Sequence, residues 1–164
     1  MLNNHGAADA SATASEHDRI GCRVPYSVFT DEAYYKAEQE RLFRGPTWNF
    51  VALEAEVPEP GDYKATFIGD TPVVVTRDKD GGLHVVLNRC AHRGAMVCRE
   101  RRGNAPHLEC VYHQWAYDLN GDLIGVPFRR GIKGQGGMPG DFDMKQHGLK
   151  QLRVGIVGGL VFAS

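Results

Sequence analysis

The spacing of apolar side chains changes once along this chain, near Trp48. Before it, Tyr34, Ala37, Arg41 and Leu42 recur near one face at helical spacing. Thr30 is the expected N-cap, and Asp31 and Glu32 sit in a first turn where acidic groups suit the helix dipole, so the pattern predicts a helix from there to about Phe43. After Trp48 the runs are short and β-like. They fall at Trp48–Leu53, Tyr63–Ile68, Val73–Arg77, Leu83–Asn88, His107–Val111, Gln114–Leu119, Leu123–Val126, Leu149–Val154 and Leu160–Phe162. Asp80-Gly81-Gly82 and Asn120-Gly121 are hairpin signals between them. Short strands with regular turn punctuation predict a mainly β domain, a sandwich or small barrel.

Composition narrows this picture. A chain of 164 residues with 42% hydrophobic content is long enough for one domain with a sizeable core, and 20 Gly with 8 Pro favour turns over long helices. The formal net charge of -1 gives nucleic-acid binding no electrostatic support. The longest apolar stretch, Val154 to Ala163, is too short to span a bilayer and is broken by glycines. Residues 1–25 are expected to form a flexible N-terminal tail, polar and Ala- and Ser-rich over Met1 to Gly21. Residues 26–164 are then the folded domain. Four cysteines without an apolar leader predict a reducing, cytoplasmic setting.

The chemistry concentrates in Cys90-Ala91-His92 and, after 17 intervening residues, Cys110-Val111-Tyr112-His113. In extended chain, residues i and i+2 point the same way, so Cys90 and His92 can aim at one metal site from a single loop, while Cys110 and His113 need a turn to converge. One soft thiolate and one imidazole per loop suit iron–sulfur or zinc rather than magnesium or calcium. Structural zinc also takes Cys₂His₂, but its usual C-x₂₋₄-C and H-x₃₋₅-H spacings differ from Cys-x-His, so the spacing favours a [2Fe–2S] centre of the kind with two His on one iron. Gly94, with no Cβ, is expected to let backbone N–H groups approach bridging sulfides. Tyr112 and Trp115 are expected to wall the cluster from water. Cys22 and Cys98 lack a His at ligand spacing and read as packed thiols. His5, His17, His84, His107 and His147 read as surface or packing residues.

Asn88-Arg89-Cys90-Ala91-His92-Arg93-Gly94, with Cys110-Val111-Tyr112-His113-Gln114-Trp115-Ala116-Tyr117-Asp118 and Asn120-Gly121, resembles the Rieske domain of bacterial aromatic ring-hydroxylating dioxygenase large (α) subunits. The likeness runs from about Tyr26 to the end. It departs at Gln114, where the family more often has Gly. The resemblance implies a Rieske iron–sulfur fold, a small antiparallel β-sandwich or barrel with cluster-binding hairpin loops, preceded by one N-terminal helix. It also implies a Rieske [2Fe–2S] cluster with Cys90 and Cys110 on one iron and His92 and His113 on the other.

Respiratory-complex Rieske proteins carry a further Cys in each loop and a Ser after the second. Here the corresponding positions are Ala95, Tyr112 and Trp115, and a missing Ser hydroxyl removes a hydrogen bond to cluster sulfur, so a low-potential centre is expected.

The family's mononuclear Fe(II) site uses an H-x₄-H pair that this chain lacks. The catalytic domain is therefore expected to be absent from this chain, which reads as the N-terminal part of an oxygenase component, with no catalytic residues of its own. The implied partners are a ferredoxin or reductase as electron donor and the catalytic domain of a neighbouring α subunit, with the aromatic substrate bound elsewhere. Gly125-Val126-Pro127-Phe128-Arg129-Arg130-Gly131 is most similar to dioxygenases acting on aromatic carboxylates such as terephthalate, salicylate or anthranilate. A stand-alone Rieske ferredoxin and a zinc-stabilised interaction module are the alternative readings. The Gly-rich stretch from Pro127 to His147 reads as a solvated surface loop. Arg99, Arg101 and Arg102 read first as a solvated charge run, and as a possible steering patch for an acidic donor second.

Overall fold

The computed structural model describes residues 24–164; Cys22, His5, His17 and nearly all of the 1–25 stretch lie outside the described residues. The chain divides into a unit ending at Ala37 and a second unit, Glu38–Ser164. In the first, α1 (Ser27–Thr30) is followed by α2 (Glu32–Glu38). Asp31, not Thr30, caps α2: its carboxylate accepts from the Ala33 N–H at 2.7 Å, whereas the Thr30 hydroxyl turns back onto the Tyr26 carbonyl. In the second unit the helical turns persist to Phe43, as the periodicity predicts, but Gln39–Phe43 is a π-helical turn. Gln39 is the buried residue there, and its Oε1 accepts from the Asp70 N–H at 3.0 Å.

The strands are β1 (Asn49–Leu53), β2 (Asp62–Ile68), β3 (Thr71–Arg77), β4 (Leu83–Leu87), β5 (Arg102–Asn104), β6 (Leu108–Glu109), β7 (Ala116–Tyr117), β8 (Leu123–Gly125), β9 (Gln151–Leu152), β10 (Val154–Val157) and β11 (Leu160–Ala163). They form antiparallel sheets in the orders β1-β11-β10, β5-β2-β3-β4-β9 and β6-β7-β8. The fold is mainly β, as expected.

Side chains alternate across a strand, and β3 uses both faces. Val73 and Val75, with Val85 of β4, join Val51, Ala52, Val161 and Ala163 in one core. Val74 and Val86 point the other way, into a second core with Val97, Leu108, Trp115, Tyr117, Leu119, Leu123 and three cysteines. A strand buried on both faces reads as a continuous apolar run, which is why Pro72-Val73-Val74-Val75 shows no polar alternation. Each fully buried Val contributes about 1.5–3 kcal/mol.

Both predicted hairpin turns are present and share a device. Asp78 accepts from the N–H groups of Asp80 (2.9 Å) and Gly82 (2.7 Å), and Asp118 from those of Asn120 (3.0 Å) and Asp122 (2.9 Å). A carboxylate that bonds its own backbone two residues on stabilises the turn locally.

Three expectations need correction. Arg102 is not merely part of a solvated charge run: it opens β5, which pairs with β2, and its guanidinium bonds Glu56, which also holds Lys64. Arg, Gly and Asn have little strand propensity, so this exposed edge strand is created by its partner rather than by its own letters. The strand beginning at Val154 is a separate element from β9. The Pro127–His147 stretch is not simply solvated, because Met138, Phe142 and Met144 pack against the second core.

Candidate metal centre

Two loops at the second core carry the Cys/His pairs. The second is the tip of the β6–β7 hairpin, as predicted. The first is not a hairpin tip: it runs from β4 to β5, which are separated in the sheet by β2 and β3.

The loops nevertheless share one backbone turn. Gly94 N–H donates to the Cys90 carbonyl at 2.8 Å, and Cys90 N–H donates to the Ala95 carbonyl at 2.8 Å. Likewise Gln114 N–H donates to the Cys110 carbonyl at 2.8 Å, and Cys110 N–H to the Trp115 carbonyl at 2.9 Å. The fifth residue of each turn is left-handed, with φ 70° at Gly94 and φ 56° at Gln114. Gly94 is therefore favoured by the hand of the backbone and not by crowding, since a Cβ there would meet no protein atom within 4 Å. Gln114 carries a Cβ into the same conformation, which costs roughly 1 kcal/mol. Gln114→Gly relieves that cost and adds some unfolded-state entropy, so a net gain of about 0.5 kcal/mol in urea unfolding is expected. A lowered unfolding midpoint would contradict the strain assigned to this position.

Cys90 and Cys110 are 4% and 1% exposed, while His92 and His113 are half-buried. The imidazoles meet with Nδ1 atoms 3.2 Å apart and rings at 74°. Burial, then the charge of His113 and Arg93, lowers the His92 pKa and favours the neutral ring that ligates metals. Trp115 lies flat on His92 at 4.8 Å and 10°. Its edges are covered by Phe142 at 5.8 Å and His147 at 6.0 Å, so the Gly-rich stretch roofs the indole. Tyr112 packs on His113 at 3.9 Å but is 62% exposed, so Trp115 rather than Tyr112 is the buried wall.

Tyr117 received no role from the sequence. Its hydroxyl lies 3.1 Å from Cys90 Sγ and accepts from the Ala91 N–H at 3.1 Å, joining the two loops. Burial first, then the bond to Cys90, pushes its pKa far above the ordinary phenol range, so it stays protonated and has an O–H to offer a Cys90 thiolate. The available signal was its position two residues after Trp115, which an extended chain turns toward the same core: a buried tyrosine needs a partner for its hydroxyl. Cys98 is a packed thiol, as read. It donates to the Glu100 carbonyl, and burial pushes its pKa up to about 11. Of the other histidines, His84 bonds Asp78 at 2.7 Å, His107 lies 4.0 Å from Glu109, and His147 packs on Trp115.

The donors suit a two-metal group. Two nitrogens each about 2.1 Å from a shared ion and 3.2 Å apart subtend about 100°, near the tetrahedral value. A structural zinc needs four donors on one ion, and among the described residues no three His, Cys, Asp or Glu side chains are grouped to hold one. A converging pair of imidazoles with two buried thiols on the same two loops is a donor set that would fit a [2Fe–2S] cluster.

Residues 47–135 match the model of the Rieske [2Fe-2S] domain, and the chain belongs to that family, whose cofactor is a Rieske [2Fe–2S] cluster. Within it, the chain is similar to large subunits of aromatic ring-hydroxylating dioxygenases. It is 65% identical to the anthranilate 1,2-dioxygenase large subunit of Burkholderia cepacia over 95% of this chain and 37% of that protein. It is 56% identical to the large oxygenase component of salicylate 5-hydroxylase from Ralstonia sp., over 87% of this chain and 34% of that protein. The solved naphthalene 1,2-dioxygenase from Rhodococcus sp. aligns with TM-score 0.77 and 35% identity, covering 90% of this chain and 33% of that one. The chain thus spans about a third of the length of the curated relatives it matches.

Proposed function

We propose that Cys90 and Cys110 hold one iron of the cluster and His92 and His113 the other, and that residues 26–164 serve as the electron-transfer domain of an aromatic ring-hydroxylating oxygenase. The observation that carries this reading is the pair of Nδ1 atoms converging to 3.2 Å beside two buried cysteines in matched turns. When bound, the cluster supplies one-electron chemistry.

The chain's own residues divide the remaining work. The cysteines sit in the core away from water, and the half-exposed imidazoles form the edge that faces partners. Trp115, roofed by Phe142 and His147, keeps water from one face of His92. Tyr117 holds its O–H on the Cys90 sulfur. These features tune a bound cluster through burial and hydrogen bonding.

Electrons come from a ferredoxin or reductase and pass to the mononuclear-iron catalytic domain of a neighbouring α subunit, where the aromatic substrate is bound. The substrate is an aromatic carboxylate, in keeping with the anthranilate and salicylate relatives. The working location is the cytoplasm, where the free thiols Cys90, Cys98 and Cys110 persist for ligation and packing. Among the described residues no helix is long and apolar enough to cross a membrane.

Purifying the chain anaerobically and assaying iron, acid-labile sulfide and the EPR of the reduced form tests the assignment. About two irons and two sulfides per chain are expected, with a potential toward the low end of the Rieske range, about −150 mV. A colourless zinc protein would sink the reading.

A further inference from the structure

The two ligand loops are closed at their bases by different means. Below Cys110 and His113 the β6–β7 ladder does it, with Leu108 opposite Tyr117 and Glu109 opposite Ala116. Below Cys90 and His92 no ladder exists, since β4 and β5 are not neighbours. A side chain stands in its place. Asn88, 1% exposed at the end of β4, donates from Nδ2 to the Cys98 carbonyl at 2.8 Å. Its Oδ1 accepts from the N–H groups of Val97 (3.1 Å) and Cys98 (2.8 Å). Its backbone N–H donates to the Pro72 carbonyl at 2.9 Å, anchoring it to β3.

A carboxamide has the donor and acceptor of a peptide group, so Asn88 reproduces one rung of the missing ladder across residues 88–98. We infer that Asn88 is a positioning residue: it clasps the first loop so that Cys90 and His92 stand in register with Cys110 and His113. The inference rests on the proposed ligand set and adds a residue that touches no metal. The two loops otherwise meet at Cys90 and Ala91 through Tyr117 and at the stacked rings of His92, so without the clasp the base of the first loop is free to open while its tip is held.

The test compares the holo chain with Asn88→Ala, Asn88→Asp and a control, Val161→Ala, which lowers stability from the other core. Loss of cluster absorbance to an iron chelator and the EPR spectrum of the reduced form are the readouts. Asn88→Ala orphans two N–H groups and a carbonyl and should lose cluster about tenfold faster, with altered EPR g values in the fraction still loaded. Asn88→Asp keeps the acceptor half but sets a carboxylate against the Cys98 carbonyl, so its loss rate should fall between Ala and parent. Should Asn88→Ala not fold, the Asp variant alone decides. Val161→Ala should keep the parent spectrum and loss rate. Parent-like behaviour of the Asn88 variants, or effects matched by Val161→Ala at equal stability, overturns the inference. Colour surviving in Cys110→Ala would instead overturn the ligand set, so the two failures are distinguishable.

Discussion

Replacing Cys110 by alanine should leave a folded chain without colour. Cys110 is 1% exposed and lies in the core with Trp115 and Tyr117. As a packing element a cysteine is a small hydrophobe, so losing its sulfur costs roughly 1 kcal/mol of stability. The turn around it is held by main-chain bonds from Gln114 and to Trp115, which alanine keeps. In the proposed ligand set it is one of two thiolates, and a cluster deprived of it would be held too weakly to survive purification. Iron in the purified variant should fall below about a tenth of the parent's, with no EPR signal on reduction, while circular dichroism is unchanged. Cys98→Ala is the matched control: that thiol donates to the Glu100 carbonyl and lies outside the proposed ligand set, so the pigment should remain. Full colour in Cys110→Ala, or its loss in Cys98→Ala, would reverse the assignment of ligand and packed thiol.

Tyr117→Phe should lower the reduction potential by about 40–60 mV while keeping the cluster. The sign follows from charge. With Cys90 bound as a thiolate the Tyr117 O–H is the donor to its sulfur, and that sulfur carries more negative charge in the reduced state, so the bond is stronger there. Removing it destabilises the reduced form more than the oxidised one and moves the potential down. A differential of about 1 kcal/mol corresponds to roughly 43 mV for one electron. Because burial holds the phenol pKa far above its ordinary range, the gap between variant and parent should stay constant from roughly pH 6 to pH 10. Protein-film voltammetry of both forms measures it. An unchanged or raised potential would mean that the hydroxyl does not donate to the cysteine sulfur.

The strand periodicity was legible because it is local. β3 and β4, the two Asp-anchored turns and the helical turns as far as Phe43 each follow from residues within a few positions of one another. The cap slipped by one residue because Thr30 and Asp31 are both good caps, and the choice between them depends on which hydroxyl or carboxylate finds an N–H. β5 was invisible for the opposite reason: its pairing with β2 lies some 40 residues back along the chain, and nothing in Arg102-Gly103-Asn104 announces it.

The same division runs through the site. Cys90, His92, Cys110 and His113 could be read from the letters as candidate ligands because metal chemistry demands particular atoms, and their spacing limits how they converge. The left-handed turn at position 114 is likewise a local feature. The Tyr117 bridge, the Asn88 clasp and the Phe142–His147 roof over Trp115 join residues between 9 and 32 positions apart by chain numbering. Donor type, which the proposed ligand set draws on, and strand alternation are properties of short segments, so the sequence alone determined them. Which hydroxyl reaches which sulfur, and what closes the loop that no ladder closes, depended on how the sheets pack, because a buried polar group's partner is chosen by proximity in space and not along the chain.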